Sequence, residues 1–84
     1  MSEGRTAAEG VFTVRTHDRP GVLAKIASAF HRRGLNIRAL SVGRTRVPEV
    51  SEMLIHVEAP RADLERVAAA MRNLVDVLSV DLSD

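Results

Sequence analysis

The chain has 84 residues, enough for one small domain, and its composition of 45% hydrophobic and 27% charged residues is typical of a globular protein. Its net charge of +1, from 12 basic and 11 acidic residues, provides no strong field that would attract nucleic acid or a membrane surface. The absence of cysteine excludes disulfides, thiol nucleophiles and thiolate metal sites, and no apolar run approaches the roughly 20 residues of a membrane span. A domain this small buries only about 60% of its unfolded surface, so we expect it to associate with another chain.

The N-terminal segment is the least patterned part of the chain. Residues 1–10 mix small and polar residues without a hydrophobic period, and they lack the basic-then-apolar order of a signal peptide. We therefore expect a loose arm over residues 1–10, one folded domain over residues 11–82, and a cytoplasmic protein.

A strand and a helix are predicted next. The alternating stretch from Val11 to His17 is typical of a half-buried strand. After Pro20 the spacing becomes helical, and Gly34 suits the left-handed end of the helix. The predicted inner face of this helix consists of Leu23, Ile26, Ala27 and Phe30.

The second half repeats the strand and helix pattern. Strands are predicted over Leu35 to Gly43 and Ser51 to Glu58, joined by a charged connection around Pro48. Apolar residues then recur at helical spacing at Leu64, Val67, Ala68 and Met71. The stretch from Leu74 to Leu82 is rich in Val and Leu and indicates a last strand.

The element order β-α-β-β-α-β predicts an α+β, ferredoxin-like fold, in which two helices cover one face of a four-stranded antiparallel sheet. The other face would carry several aliphatic residues, and we expect it to contact another chain, although scattered surface aliphatics need no partner. The residues behind this expectation are Leu54, Leu78 and Val80, with Leu40 or Val42.

Several functions of this fold are disfavoured by the residues. An RNA-recognition module stacks bases on exposed aromatics, but the two aromatics here, Phe12 and Phe30, are predicted to be buried. An acylphosphatase-like enzyme would need a phosphate loop, for which Arg19 is a weak substitute, and no nucleophile and base pair is visible. The three histidines have no metal-ligand spacing. We expect no catalytic residue, no cofactor and no metal.

The turn before the first helix is the candidate binding site. The stretch THDRPG leads directly into that helix, and the first N–H groups of a helix lack intrahelical partners and carry partial positive charge. Gly21 has no side chain, so a small carboxylate could approach its N–H and that of Val22. The alternative is structural: Asp18 could cap the helix, and Gly21 could serve turn geometry alone.

The residues from Phe12 to Gly43 resemble the ACT domain, a small-molecule regulatory module of amino-acid metabolism. Three stretches are more specific and are similar to the regulatory small subunit of acetohydroxyacid synthase (AHAS), also called acetolactate synthase. These stretches are DRPGVLAKIASAFHRRGLNI, SVGRTRVPEVSEMLIHV and NLVDVLSVDL, which together cover nearly everything after residue 10.

This resemblance implies a homodimer of ACT domains that binds a branched-chain amino acid, usually valine, at the interface between the two copies. It also implies a catalytic large subunit, dependent on thiamine diphosphate, that the small subunit activates and subjects to feedback inhibition. The family's effector contacts correspond here to Asp18, Gly21 and Asn36, with Pro20, Val22 and Ile37 beside them.

The sequence departs from the family pattern at several positions. Asp18 stands where the synthase subunits often have Asn, the connection RTRVPEV is more basic than usual, and Glu52 stands where Arg is common. The chain stops at Asp84, whereas longer members continue into a second domain. Two alternatives therefore stay open: an activating subunit that binds no effector, and a free-standing ACT sensor for another enzyme.

Overall fold

The computed structural model describes residues 7–83, which form four strands and two helices in the predicted order. The elements are β1 (Ala8–His17), α1 (Val22–His31), β2 (Ile37–Arg44), β3 (Val50–Ala59), α2 (Arg61–Arg72) and β4 (Val77–Ser83). The strands form one antiparallel sheet in the order β2-β3-β1-β4. The predicted ferredoxin-like βαββαβ fold is confirmed.

The core lies between this sheet and the two helices. Every second residue of the two central strands is buried, as expected for a sheet with one covered face. Phe12 of β1 meets Phe30 of α1 edge to face, with ring centroids 5.6 Å apart. Both aromatics are completely or almost completely buried, as predicted, so neither is available to stack on a nucleic-acid base.

The inner face of α2 is as predicted, but that of α1 is rotated. Leu64, Val67, Ala68 and Met71 are all buried. In α1 the buried residues are Val22, Ile26, Ala29 and Phe30. Leu23 is exposed and Ala27 only half-buried. Because successive residues are about 100° apart around a helix, a buried stripe that includes Val22 turns Leu23 away from the sheet.

Strand β1 begins earlier than predicted, at Ala8, so residues 8–10 of the predicted loose arm belong to the sheet. They pair in register with the end of β3, where Gly10 lies opposite Val57. Gly10 is buried, and a Cβ there would lie 2.9 Å from Leu82 and 3.0 Å from Leu64, so a larger residue would have to displace the ends of these two side chains. Residues 1–6 of the predicted arm lie outside the described residues.

The prediction about the aliphatic residues of the uncovered face is wrong for Val80. Val80 lies opposite Val14, projects toward the helices and is only 5% exposed. Leu78 is the extra residue of a bulge in β4, because Arg15 pairs with Ser79 and Thr16 with Val77. Because Leu78 has no partner in the ladder, the alternation of side chains between the two faces reverses there. A period-2 pattern in the sequence does not reveal such a reversal.

Leu40 and Val42 also project toward the helix side, since they lie opposite the buried Ile55 and Met53. They are nevertheless exposed, Val42 by 50%, because β2 is an edge strand. These two predicted residues are therefore exposed along the β2 edge and not on the uncovered face.

The uncovered face itself is largely polar. Of the five predicted aliphatic residues, only Leu54, which is 44% exposed, lies on this face at a regularly paired position, opposite Thr13. Polar contacts join neighbouring strands on the same face: an ion pair between Arg15 and Glu52 at 3.1 Å, and a contact between the His56 ring and the Glu9 carboxylate at 3.4 Å. Within residues 7–83, neither helix has the length or apolar character needed to cross a membrane.

Candidate functional site

The turn between β1 and α1 has an unusual backbone at Gly21. Gly21 is the N-cap of α1 and has a φ of 87°, in the left-handed region that favours glycine. A Cβ added there would meet no atom within 4 Å, so the outer side of the turn is open. The predicted turn is thus present at Gly21, and no neighbouring atom crowds its outer side.

Asp18 does not cap the helix. No side chain donates or accepts a capping hydrogen bond at the start of α1, and Asp18 lies three residues before the N-cap. Within the described part of the chain, the exposed Asp18 carboxylate has neither a hydrogen bond nor an ion pair. The alternative capping role is therefore wrong, and this carboxylate is free to accept a hydrogen bond from a ligand.

The N–H groups at the start of α1, from Gly21 to Ala24, are mostly unpaired. Those of Gly21, Leu23 and Ala24 have no acceptor among residues 7–83. The N–H of Val22 donates to the carbonyl oxygen of Arg19 over 3.4 Å, which is a long and weak hydrogen bond. The helix start therefore presents several available donors together with the positive end of the helix dipole, an arrangement that suits a carboxylate.

The connection between β2 and β3, residues 45–49, lies beside this turn. The N–H of Asp18 donates to the carbonyl oxygen of Glu49 at 2.8 Å, and Asp18 and residues 44–50 line a shared open cavity of about 450 Å³. The Thr45 hydroxyl stiffens the connection by bonding the carbonyl oxygens of Val47 and Val50, both at 3.0 Å. The two segments are thus joined by a hydrogen bond and line the same cavity.

Asn36, by contrast, lies at the other end of the sheet. It directly precedes β2, whose first residue pairs with Val57, whereas the last residue of β2 pairs with Ser51 near the turn at Gly21. Eight strand residues separate these ends by on the order of 20 Å. One chain therefore does not bring Asn36 together with Asp18 and Gly21.

The remaining predicted site residues divide in the same way. Pro20 is exposed within the turn, and Val22 is buried as the first residue of α1, so only its main chain could face a ligand. Ile37 is half-buried and packs against the core at the Asn36 end of the sheet. The predicted site therefore consists of two halves, 18–22 and 36–37, at opposite ends of β2.

Sequence reasoning overlooked Asp76. It falls within the predicted last strand, but it lies in the turn before β4, is 8% exposed, and is the only buried acidic residue among residues 7–83. Its carboxylate contacts Arg19 at 3.4 Å and Lys25 at 3.9 Å. The available signal was an aspartate within the apolar run NLVDVL, since a carboxylate in such a run requires a partner when buried.

The enzyme and metal alternatives gain no support from this geometry. Arg19, the candidate for a phosphate loop, faces the Asp76 carboxylate. Within residues 7–83 no group of three or more His, Cys, Asp or Glu side chains could hold a metal ion.

Comparison with known proteins agrees with this architecture. Residues 12–79 match the AHAS small subunit-like ACT domain. The chain belongs to this family. The acetolactate synthase small subunit of Mycobacterium leprae is 43% identical over 68 residues, which is 81% of this chain and 40% of the relative. That of Aquifex aeolicus is 40% identical over 75 residues, 88% of this chain and 39% of the relative.

A solved structure gives the same result. The crystal structure of the acetolactate synthase small subunit from Thermotoga maritima superposes with a TM-score of 0.83 at 32% identity, covering 92% of this chain and 48% of that one. The ACT domain described here thus spans about 40% of the length of the two curated relatives and about half of this structure.

Proposed function

We propose that this ACT domain is the regulatory module of an acetohydroxyacid synthase, that it binds a branched-chain amino acid, valine first, between two copies of itself, and that it has no catalytic role. Its partner would be the thiamine-diphosphate-dependent catalytic subunit, which it would activate and subject to feedback regulation. Family membership supports the regulatory role, and the open turn at Gly21 is the observation that carries the ligand proposal. The cytoplasmic location predicted from the sequence belongs to the same proposal.

The amino acid's carboxylate would bind at the start of α1. The unpaired N–H of Gly21 and those of the first helical turn are donors of the required kind, and the helix dipole favours an anion there. The free carboxylate of Asp18, three residues away, would accept a hydrogen bond from the ammonium group. One turn therefore offers complementary groups to both ends of an amino acid.

Completing this site requires a second copy. The outer edge of β2 is not paired with another strand among the described residues, and Leu40 and Val42 are exposed along it. Two β2 strands related by a twofold axis perpendicular to the strands run antiparallel, so the start of one lies beside the end of the other. This pairing would bring Asn36 of the second copy toward Asp18 and Gly21 of the first. The Asn36 amide could then both donate to the carboxylate and accept from the ammonium group.

The β2–β3 connection is the proposed route to the catalytic subunit. It is bonded through Glu49 to Asp18 of the turn at residues 18–22, called the effector turn below. It also presents the exposed side chains of Arg44 and Arg46, for which residues 7–83 supply no ion-pair partner. A ligand regulates only if it prefers one arrangement energetically, so valine should stabilise one dimer geometry and one position of this connection.

Isothermal titration calorimetry with valine, leucine and isoleucine tests the ligand proposal. We expect saturable heat with at least one of them on a dimer confirmed by light scattering, and no heat at millimolar concentrations would refute the proposal. Asn36→Ala should weaken binding without unfolding the domain. Asn73→Ala is the matched control, because Asn73 is exposed at the C-cap of α2 and belongs to neither half of the site, 18–22 or 36–37. Equal affinity of the Asn36 variant and the wild type would refute the role of Asn36.

A second candidate, an activating subunit without an effector, is favoured by the charge of Asp18. A carboxylate near the anion site repels the carboxylate of an amino acid, whereas the Asn common in the family would not. The activity of the purified catalytic subunit should be measured without this chain, with it, and with it plus valine. Activation that valine does not reverse would favour the second candidate.

A further inference from the structure

We propose that Asp76 is a positioning residue of the effector turn. The expected effect on ligand binding rests on the proposed function, whereas the restraint of the turn does not. Asp76 belongs to the turn between α2 and β4, which is separated from the effector turn by more than 50 residues of sequence. Its main chain and its side chain both hold that turn.

The main-chain contact fixes the beginning of the turn. The N–H of His17, the last residue of β1, donates to the carbonyl oxygen of Asp76 at 2.8 Å. The next residue, Asp18, is bonded through its N–H to Glu49 on the other side. The chain leaving β1 is thus held from two directions by successive N–H groups, while the Asp18 carboxylate stays unpaired among residues 7–83.

The side-chain contacts lie on both sides of Gly21. One carboxylate oxygen of Asp76 lies 3.4 Å from Nη1 of Arg19, two residues before Gly21. The other lies 3.9 Å from Nζ of Lys25, four residues after Gly21, whose own N–H donates to the Gly21 carbonyl oxygen at 3.1 Å. The carboxylate therefore restrains the residues on either side of Gly21 without occupying the N–H of Gly21 itself.

Because it is buried, the Asp76 carboxylate restrains its charged partners more strongly than a carboxylate on the surface would. Asp76 is 8% exposed, and a buried charge is stable only when oppositely charged groups and hydrogen bonds compensate its desolvation. The two cations are themselves more than half exposed and could otherwise move freely in solvent. The buried partner thus fixes the position of the exposed ones, and with them the turn.

Positioning and simple electrostatics predict opposite effects of Asp76→Asn. Removing a negative charge beside the anion site increases the attraction for a carboxylate, so electrostatics alone predicts tighter binding. If the turn becomes more mobile, the N–H groups of Gly21 and its neighbours no longer point steadily at the ligand carboxylate. A positioning role therefore predicts weaker binding. The direction of the change in valine affinity therefore distinguishes a positioning role from a purely electrostatic effect.

The experiment measures valine affinity by calorimetry and amide hydrogen exchange by mass spectrometry on the full chain. Asp76→Asn should weaken valine binding about threefold to tenfold and accelerate exchange at residues 17–22. Asp63→Asn is the matched control, because it removes the same charge from a pair with Arg66 at 3.5 Å on α2 and should change neither quantity. Unchanged or tighter binding by Asp76→Asn would overturn the proposal.

Exchange distinguishes a failure of this inference from a failure of the proposed function. If the wild type binds no branched-chain amino acid, the proposed function fails, and faster exchange at residues 17–22 still supports the positioning role. Arg19→Gln provides a second variant that removes an exposed partner of Asp76 and leaves the core intact. Exchange at residues 17–22 that stays as slow as in the wild type in both variants overturns the positioning role.

Discussion

The main chain of Asp18 is bonded to that of Glu49 over 2.8 Å, and Glu49 is the only non-glycine residue among residues 7–83 with a positive φ, 65°. The effector turn is therefore attached to a residue whose backbone conformation is unfavourable for a side chain. This contact links the start of α1 to the β2–β3 connection, and both segments line the same cavity.

Glu49→Gly should stabilise the domain. A left-handed backbone costs an L-residue about 1–2 kcal/mol, while glycine loses about 0.5–1 kcal/mol through the entropy of the unfolded chain. We expect the free energy of unfolding in urea to rise by about 0.5 kcal/mol. Arg46→Gly, in the same connection but without a positive φ, should lower it. A loss of stability in Glu49→Gly equal to that in Arg46→Gly would contradict the prediction.

Thr16→Val should also stabilise the domain. Thr16 is 1% exposed, and its hydroxyl is the only buried side-chain polar atom in the described residues without a hydrogen-bond partner. Valine has nearly the same shape and removes the desolvation cost, so we expect about 1 kcal/mol more stability in urea unfolding. Thr13→Val is the control and should change little, because Thr13 is only half-buried and lies on the uncovered face. A destabilised Thr16→Val would mean that the hydroxyl has a partner in solution.

Two neighbouring residues of β3 allow a matched test of the core. Ile55 is completely buried and Leu54 is 44% exposed on the opposite face. Ile55→Val should lower the free energy of unfolding by about 1 kcal/mol, because a methylene is lost from a packed site. Leu54→Val loses the same group and should change stability by less than about 0.5 kcal/mol. Similar losses in thermal or urea unfolding would show that both faces are covered in solution.

The association surface can be located with a pair of charge substitutions. Val42→Lys places a charge on the β2 edge, and Leu54→Lys places one on the uncovered face, at residues of similar exposure. If two copies pair through β2, Val42→Lys should convert the dimer to a monomer in sedimentation equilibrium, because an ammonium group buried at the interface lacks a partner. Leu54→Lys should remain dimeric. The opposite result would assign the interface to the uncovered face.

Much of the candidate site could be predicted from local sequence because its backbone follows local rules. Gly34 adopts the predicted left-handed conformation, with φ of 69°, and Gly21 lies in the predicted turn with φ of 87°. The helix start after Pro20 and the four buried positions of α2 follow from spacing and propensity. These features depend on residues within one or two turns of each other, which is the range that a sequence pattern describes.

The features that sequence reasoning missed depend on pairing between distant segments. The partners of Asp76 are more than 50 residues away, the bulge at Leu78 depends on the register with β1, and the separation of Asn36 from Gly21 depends on the direction of β2. Residues adjacent in space but distant in sequence leave no periodic signal in a single chain.

The sequence by itself determined the order of elements, the fold class, the buried aromatic pair and the turn that begins α1, because hydrophobic period and the special conformations of glycine and proline act locally. Only the tertiary structure decided which aliphatic residues are exposed, where the predicted site residues lie relative to each other, and which buried carboxylate holds the turn. The physical reason is that strand register and edge position set burial and proximity, and both arise from long-range pairing.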